Sequence, residues 1–125
     1  MQVLIVESNR ELARVWTRSL ERQGVDVLSA DSEDSAITSL DSMPVDVIVM
    51  NVHLVDGNAL AVADYAAYRA PNARVIFVTN SSFFSDGSIF SHVANAHACV
   101  PGETPPEDLA ALVEYHGAQA GNPAE

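Results

Sequence analysis

The stretch from Pro44 to Leu60, PVDVIVMNVHLVDGNAL, decides how this chain is read. Val45 to Met50 is apolar and mostly β-branched apart from Asp46, without the alternation of a strand that shows one face to water. Such a run reads as a central strand buried on both faces. It ends on a polar residue, Asn51. Val55-Asp56-Gly57 marks a turn, and Asn58 can cap a helix reaching about Ala70, where Pro71-Asn72 breaks it. A buried strand joined by a turn to a helix is one unit of a parallel sheet.

Toward the N-terminus the same unit recurs. Val3-Leu4-Ile5-Val6 reads as a buried strand, and Asn9 can cap the helix that follows. Leu12, Val15, Trp16, Ser19 and Leu20 repeat at helical spacing until Gly24. Val25 to Ala30 is a second strand. Ser32 can cap a second helix, with Ser35 in place of the usual capping-box Glu, so this cap reads as partial. Ala36, Ile37 and Leu40 give that helix its apolar side, and Pro44 stops it. Toward the C-terminus, Val75 to Thr79 is strand four. Asn80 to Gly87 is a polar loop, followed by a weak helix carrying Ile89, Phe90 and Val93. Ala98 to Val100 is a short fifth strand. Pro105-Pro106 opens a last helix with Leu109, Leu112, Val113 and His116 on one face. We expect one domain over residues 1–117 and a small, polar tail or linker stub over 118–125.

Five strands alternating with five helices predict an α/β fold, a doubly wound, five-stranded parallel sheet. In such a sheet the functional site lies at the carboxyl ends of the strands, beside the topological switch point. Those ends are Glu7-Ser8, Asn51, Thr79-Asn80 and Pro101-Gly102.

Composition narrows the function. The 125 residues carry 17 Asp+Glu against 6 Lys+Arg, a net charge of −11. That acidity argues against nucleic-acid binding, which needs a basic surface. All six positive charges are Arg, and lysine is absent from the chain. With 48% of residues hydrophobic, a core can form. No apolar run approaches the roughly 18 residues of a membrane span. Met1 leads into VLIV without a basic segment, so we expect no secretory signal. One cysteine, Cys99, excludes an internal disulfide and fits a reducing, cytoplasmic setting. Cys99 itself, inside an expected strand, reads as a core thiol.

Four stretches in order carry a resemblance: VLIVESNREL, PVDVIVMNVHLVDGNAL, RVIFVTN and NAHACVPGETPPEDLAAL. With them the chain, from about Gln2 to His116, resembles the receiver domain of bacterial two-component response regulators, a flavodoxin-like fold. The resemblance implies a site that moves a phosphoryl group from a phosphohistidine to an aspartate at the tip of strand three. It also implies acidic residues holding a divalent ion, a lysine paired with the phosphoryl group, and a reporting Thr or Ser hydroxyl.

Laid on this chain, the acceptor position is Asn51, an amide that is a poor nucleophile. The acidic pair reads Glu7-Ser8. The lysine position falls on Gly102, followed by Glu103. Thr79 stands at the switch hydroxyl and Cys99 at the aromatic switch position. His53 would offer a metal only its backbone carbonyl. The expectation is therefore a degenerate receiver that is no enzyme and takes no cofactor, with magnesium bound weakly if at all. Asn51 reads either as a mimic of an active state or as the polar end of a buried strand. Glu7 reads either as a relic metal ligand or as a cap on nearby N–H groups. His53, His92, His97 and His116 lack metal-ligand spacing, and no metal site is expected.

Arg10, Arg14, Arg18 and Arg22 recur every four residues on the first helix. At about 100° per residue each step drifts by only about 40°, so they form one winding stripe. It reads as a solvated face or as a docking surface for a signalling partner: a histidine kinase, a phosphotransfer protein or an output domain. Phe83 and Phe84, adjacent in the polar loop, are a second candidate surface. Two other readings stay open. One is a regulatory receiver module from a longer transcription factor or hybrid kinase. The other is a flavodoxin-like cofactor binder, although the loop after strand one lacks a Ser/Thr/Gly-rich phosphate cradle.

Overall fold

The protein is described here by a computed structural model covering residues 1–79 and 96–120. The elements run β1 (Gln2–Val6), α1 (Arg10–Glu21), β2 (Asp26–Ala30), α2 (Glu33–Ser42), β3 (Val47–Asn51), α3 (Ala59–Arg69), β4 (Arg74–Thr79), β5 (Ala96–Pro101) and α4 (Pro106–Ala120). All five strands are parallel, in the order β2-β1-β3-β4-β5. Four helices lie among the described residues. The weak helix expected around Ile89, Phe90 and Val93, and the loop with Phe83 and Phe84, fall outside them.

The apolar runs bury because successive side chains leave a strand on opposite faces. Leu4, Val6, Ile48, Met50, Val75 and Phe77 pack on one side with Ala36 and Leu40 of α2 and Val62, Ala63 and Ala66 of α3. Val3, Ile5, Val47, Val49, Ile76 and Val78 pack on the other with Ala13, Trp16 and Leu20 of α1 and Leu109, Ala110 and Val113 of α4. The helices start at satisfied caps. Asn9 Oδ1 accepts from Glu11 and Leu12 N–H, and Asn58 Oδ1 from Leu60 and Ala61 N–H.

Four expectations change. The α2 cap is complete, because the Ser35 hydroxyl accepts from Ser32 N–H while Ser32 Oγ accepts from Ser35 N–H. A short serine performs both halves of the box that a longer Glu usually closes. On α1 the inward line is Ala13, Trp16 and Leu20, and Val15 stands 45% exposed. Cys99 is exposed rather than a core thiol, since β5 is an edge strand. Helix α4 runs to Ala120, three residues into the stretch read as a tail.

From β1 the chain turns outward to β2, then crosses back to β3 on β1's other side. That reversal opens the crevice at the carboxyl tips of β1 and β3.

Candidate functional site

Residue Glu7 follows β1, and Asn51 ends β3. Both are buried, with 3% and 8% of their surface exposed. The Asn51 amide nitrogen donates to Glu7 Oε1 at 2.8 Å, and its carbonyl oxygen accepts from His53 N–H at 2.8 Å. The orientation of this amide is forced, because a carboxylate only accepts and a peptide N–H only donates. The second Glu7 oxygen accepts from Asn9 N–H at 3.0 Å. Both oxygens of the Glu7 carboxylate therefore receive a hydrogen bond from the chain itself.

The Ser8 hydroxyl turns to the neighbouring loops. It donates to the Asp31 carbonyl at 3.1 Å and accepts from Val55 N–H at 3.0 Å, joining the loops after β1, β2 and β3. No local pattern around Ser8 marks this clasp, because it depends on three loops meeting. Glu33 is a second residue that sequence reasoning passed over. Its N–H donates to the Asp56 carbonyl, and its Oε1 accepts from Asn58 N–H at 2.8 Å, pinning the β3–α3 loop to the start of α2.

At the other side of the crevice Thr79 is buried at the tip of β4, and its carbonyl accepts from Gly102 N–H at 2.9 Å. Gly102 brings only backbone to the site, and Glu103 beside it is exposed. Cys99 lies opposite Phe77 in the β4–β5 register, away from Glu7 and Asn51 in the sheet order. Partial desolvation holds the Cys99 thiol pKa above its ordinary value. The site thus brings together Glu7, Asn51 and His53 through hydrogen bonds. It places Thr79 and Gly102 on the adjoining strand ends.

The sequence matches the response regulator receiver domain family over residues 3–114. The chain belongs to that family. It is a receiver domain of two-component signalling, a module whose relatives interact with signalling proteins. Curated protein sequences contain no significant match to it. Among solved structures it is similar to a CheY-like response regulator receiver domain protein from Methanospirillum hungatei. That match has 20% identity and a TM-score of 0.87, and covers 97% of this chain and 96% of that one. It is similar to the N-terminal domain of a response regulator/sensory box/GGDEF 3-domain protein from Carboxydothermus hydrogenoformans. There the identity is 20%, the TM-score 0.87 and the coverage 100% of both chains. NtrX from Brucella abortus is similar at 14% identity and a TM-score of 0.85, over 96% of this chain but 27% of that one. At these identities the likeness is one of fold.

The family's divalent ion can be tested against the donors present. Glu7 is the one acidic side chain at the β1 and β3 tips, and both its oxygens are engaged. Asn51 turns a nitrogen, not an oxygen, toward it, and Ser8 faces away. Magnesium sheds its water reluctantly and wants charged oxygens in octahedral array. This set does not fit it. Among the described residues no cluster of three or more His, Cys, Asp or Glu side chains is arranged to hold a metal. No helix among them is long and apolar enough to cross a membrane.

Proposed function

We propose that this receiver works without phosphorylation, as a fixed recognition module of a two-component pathway in the cytoplasm. One observation carries the reading. The Asn51 amide joins Glu7 to the His53 N–H, so the acceptor position is occupied by a group that neither attacks phosphorus nor leaves Glu7 open to a cation. The absence of lysine from the whole chain supports it, since no shift of alignment can supply the missing ammonium group. Recognition then rests on permanent surface, and the exposed arginines of α1 are the candidate. The partner is a signalling protein such as a histidine kinase, a phosphotransfer protein or an output domain.

Incubation with acetyl phosphate and magnesium, read by intact mass, tests this. No phosphorylated species is expected. Asn51→Asp alone stays inefficient, because Ser8 and Gly102 still leave out two electrostatic elements, each worth on the order of 3 kcal/mol of barrier by analogy with oxyanion-hole deletions. The triple variant Asn51→Asp, Ser8→Asp, Gly102→Lys is the positive control. Stable phosphorylation of the parent chain would overturn the reading.

A second reading concerns context. The Carboxydothermus relative is one domain of a 3-domain protein, and this chain spans 27% of NtrX. A regulatory module within a longer regulator is compatible with the same locked site, and the full gene sequence tests it.

A further inference from the structure

The arginine stripe does not face one surface. Its drift of about 40° per step carries Arg22 about 120° around α1 from Arg10. Arg10, Arg14 and Arg18 line an open groove of about 590 Å³ between α1 and β2, with Ala13, Thr17, Ser29 and Ala30 among its other walls. Arg22 lies instead in a second hollow, against Pro106 and Glu107 of α4, and Arg18 borders both. Among the described residues no ion pair is seen at any of the four, whereas Arg69 pairs with Asp41.

The opposite wall of the first groove is an edge strand. Strand β2 pairs with β1 alone. Asp26 N–H and the Ala30 carbonyl bond toward β1, so by strand alternation the peptide groups of Val27 and Ser29 point outward, without a strand partner. Two spacings then coincide. Residues four apart on a helix are about 6 Å apart along its axis. Side chains on one face of a strand recur about every 6.6 Å. A strand added beside β2 would set one side chain against each of three successive arginines.

We infer that the groove takes an extended acidic segment of a partner protein, which extends the sheet at β2 and sets carboxylates at alternate positions against Arg10, Arg14 and Arg18. This rests on the reading of a fixed recognition module and names the chemistry of what it recognises. Charge complementarity favours this occupant. On a chain of net charge −11 the three guanidinium groups are a local concentration of positive charge, and Arg matches a carboxylate in a bidentate fork. Acidic residues bound the run: Glu7 and Asp31 toward the strand tips, Glu21 at the far end of α1. They limit the segment to about three facing carboxylates. Backbone pairing supplies affinity and the alternate side chains supply register, as in other strand additions.

The test is fluorescence anisotropy at low salt on the full chain, with a labelled seven-residue peptide of alternating glutamate and serine. The comparison peptide has the same composition with its glutamates in one block. The alternating peptide should bind at least tenfold tighter and weaken as salt rises. Arg14→Glu should lower its affinity at least tenfold, whereas Arg22→Glu should change it less than threefold. Ser29→Pro removes an outward N–H at a position where an edge strand tolerates proline, and should weaken binding. N-methylating the alternating peptide on its strand-facing nitrogens makes the same test without altering the protein. Equal binding of the two peptides, no binding at low salt, or equal losses from Arg14→Glu and Arg22→Glu would overturn the inference. No phosphodonor is present, so such a failure is distinct from a failure of the phosphorylation-independent reading.

Discussion

Asn51 does with one amide what two carboxylates and a cation would otherwise do: it links the tips of β1 and β3 through donor–acceptor contacts on both sides. Asn51→Asp places two carboxylates where a 2.8 Å hydrogen bond now stands. We predict a loss of about 1–3 kcal/mol at neutral pH. One of the two groups is then held protonated above its unfolded pKa. The folded variant binds the extra proton, so its deficit should shrink as pH falls toward 4 and grow as pH rises. Urea unfolding of parent and variant from pH 4 to 8 checks the sign. His116 on α4 titrates the other way. Burial, and secondarily the charge of Arg74, lower its pKa. The unfolded chain takes up that proton first, so stability contributed by neutral His116 is lost as pH falls from about 6.5 through the lower folded pKa. His116→Gln should flatten the unfolding free energy across that window.

Element boundaries were legible where a local signal acts alone. Asn9 and Asn58 cap as their positions in the sequence predict, and Pro44 follows the end of α2. Signals that need a third partner were not. Val15 keeps helical spacing with Leu12 and Trp16, yet Ala13 is the buried residue, because α1 lies against both the sheet and α4. Glu33 looked like any first-turn acid until the β3–α3 loop folded onto it. Gly57 makes that closure possible. Its φ is +118°, and a Cβ there would strike the Glu33 side chain and approach its backbone nitrogen to 3.1 Å. Gly57→Ala should cost about 1–3 kcal/mol. Gly24→Ala should cost less, since its φ of +80° lies nearer the left-handed region and nothing stands within 4 Å. Chemical denaturation midpoints of the two variants give the comparison.

For the whole molecule, the parallel, doubly wound sheet and the location of the crevice at its carboxyl ends followed from alternation of strand and helix signals, because parallel crossovers allow few arrangements; the order β2-β1-β3-β4-β5 is read from the structure. The closed state of that crevice did not follow, since residue types give no side-chain orientation. Charge acts at this scale too. Seventeen acidic residues against six arginines repel one another across a small surface. The melting temperature should therefore rise as sodium chloride increases from a few millimolar to about 0.5 M, where screening shortens to a few ångströms. A flat or falling curve would contradict it.

Three of those six arginines lie on α1 and a fourth, Arg22, caps its C-terminal end, so positive charge gathers along that helix while the acidic residues are spread along the chain, and the charge distribution of the domain is uneven. Such a body orients on a charged support. On a cationic resin or sensor surface it should settle with α2 and α3 against the matrix and the α1 groove toward the liquid, whereas an anionic support would hide the same face. Adsorption to a cationic chip is thus a way to present the recognition surface uniformly without attaching anything to the chain.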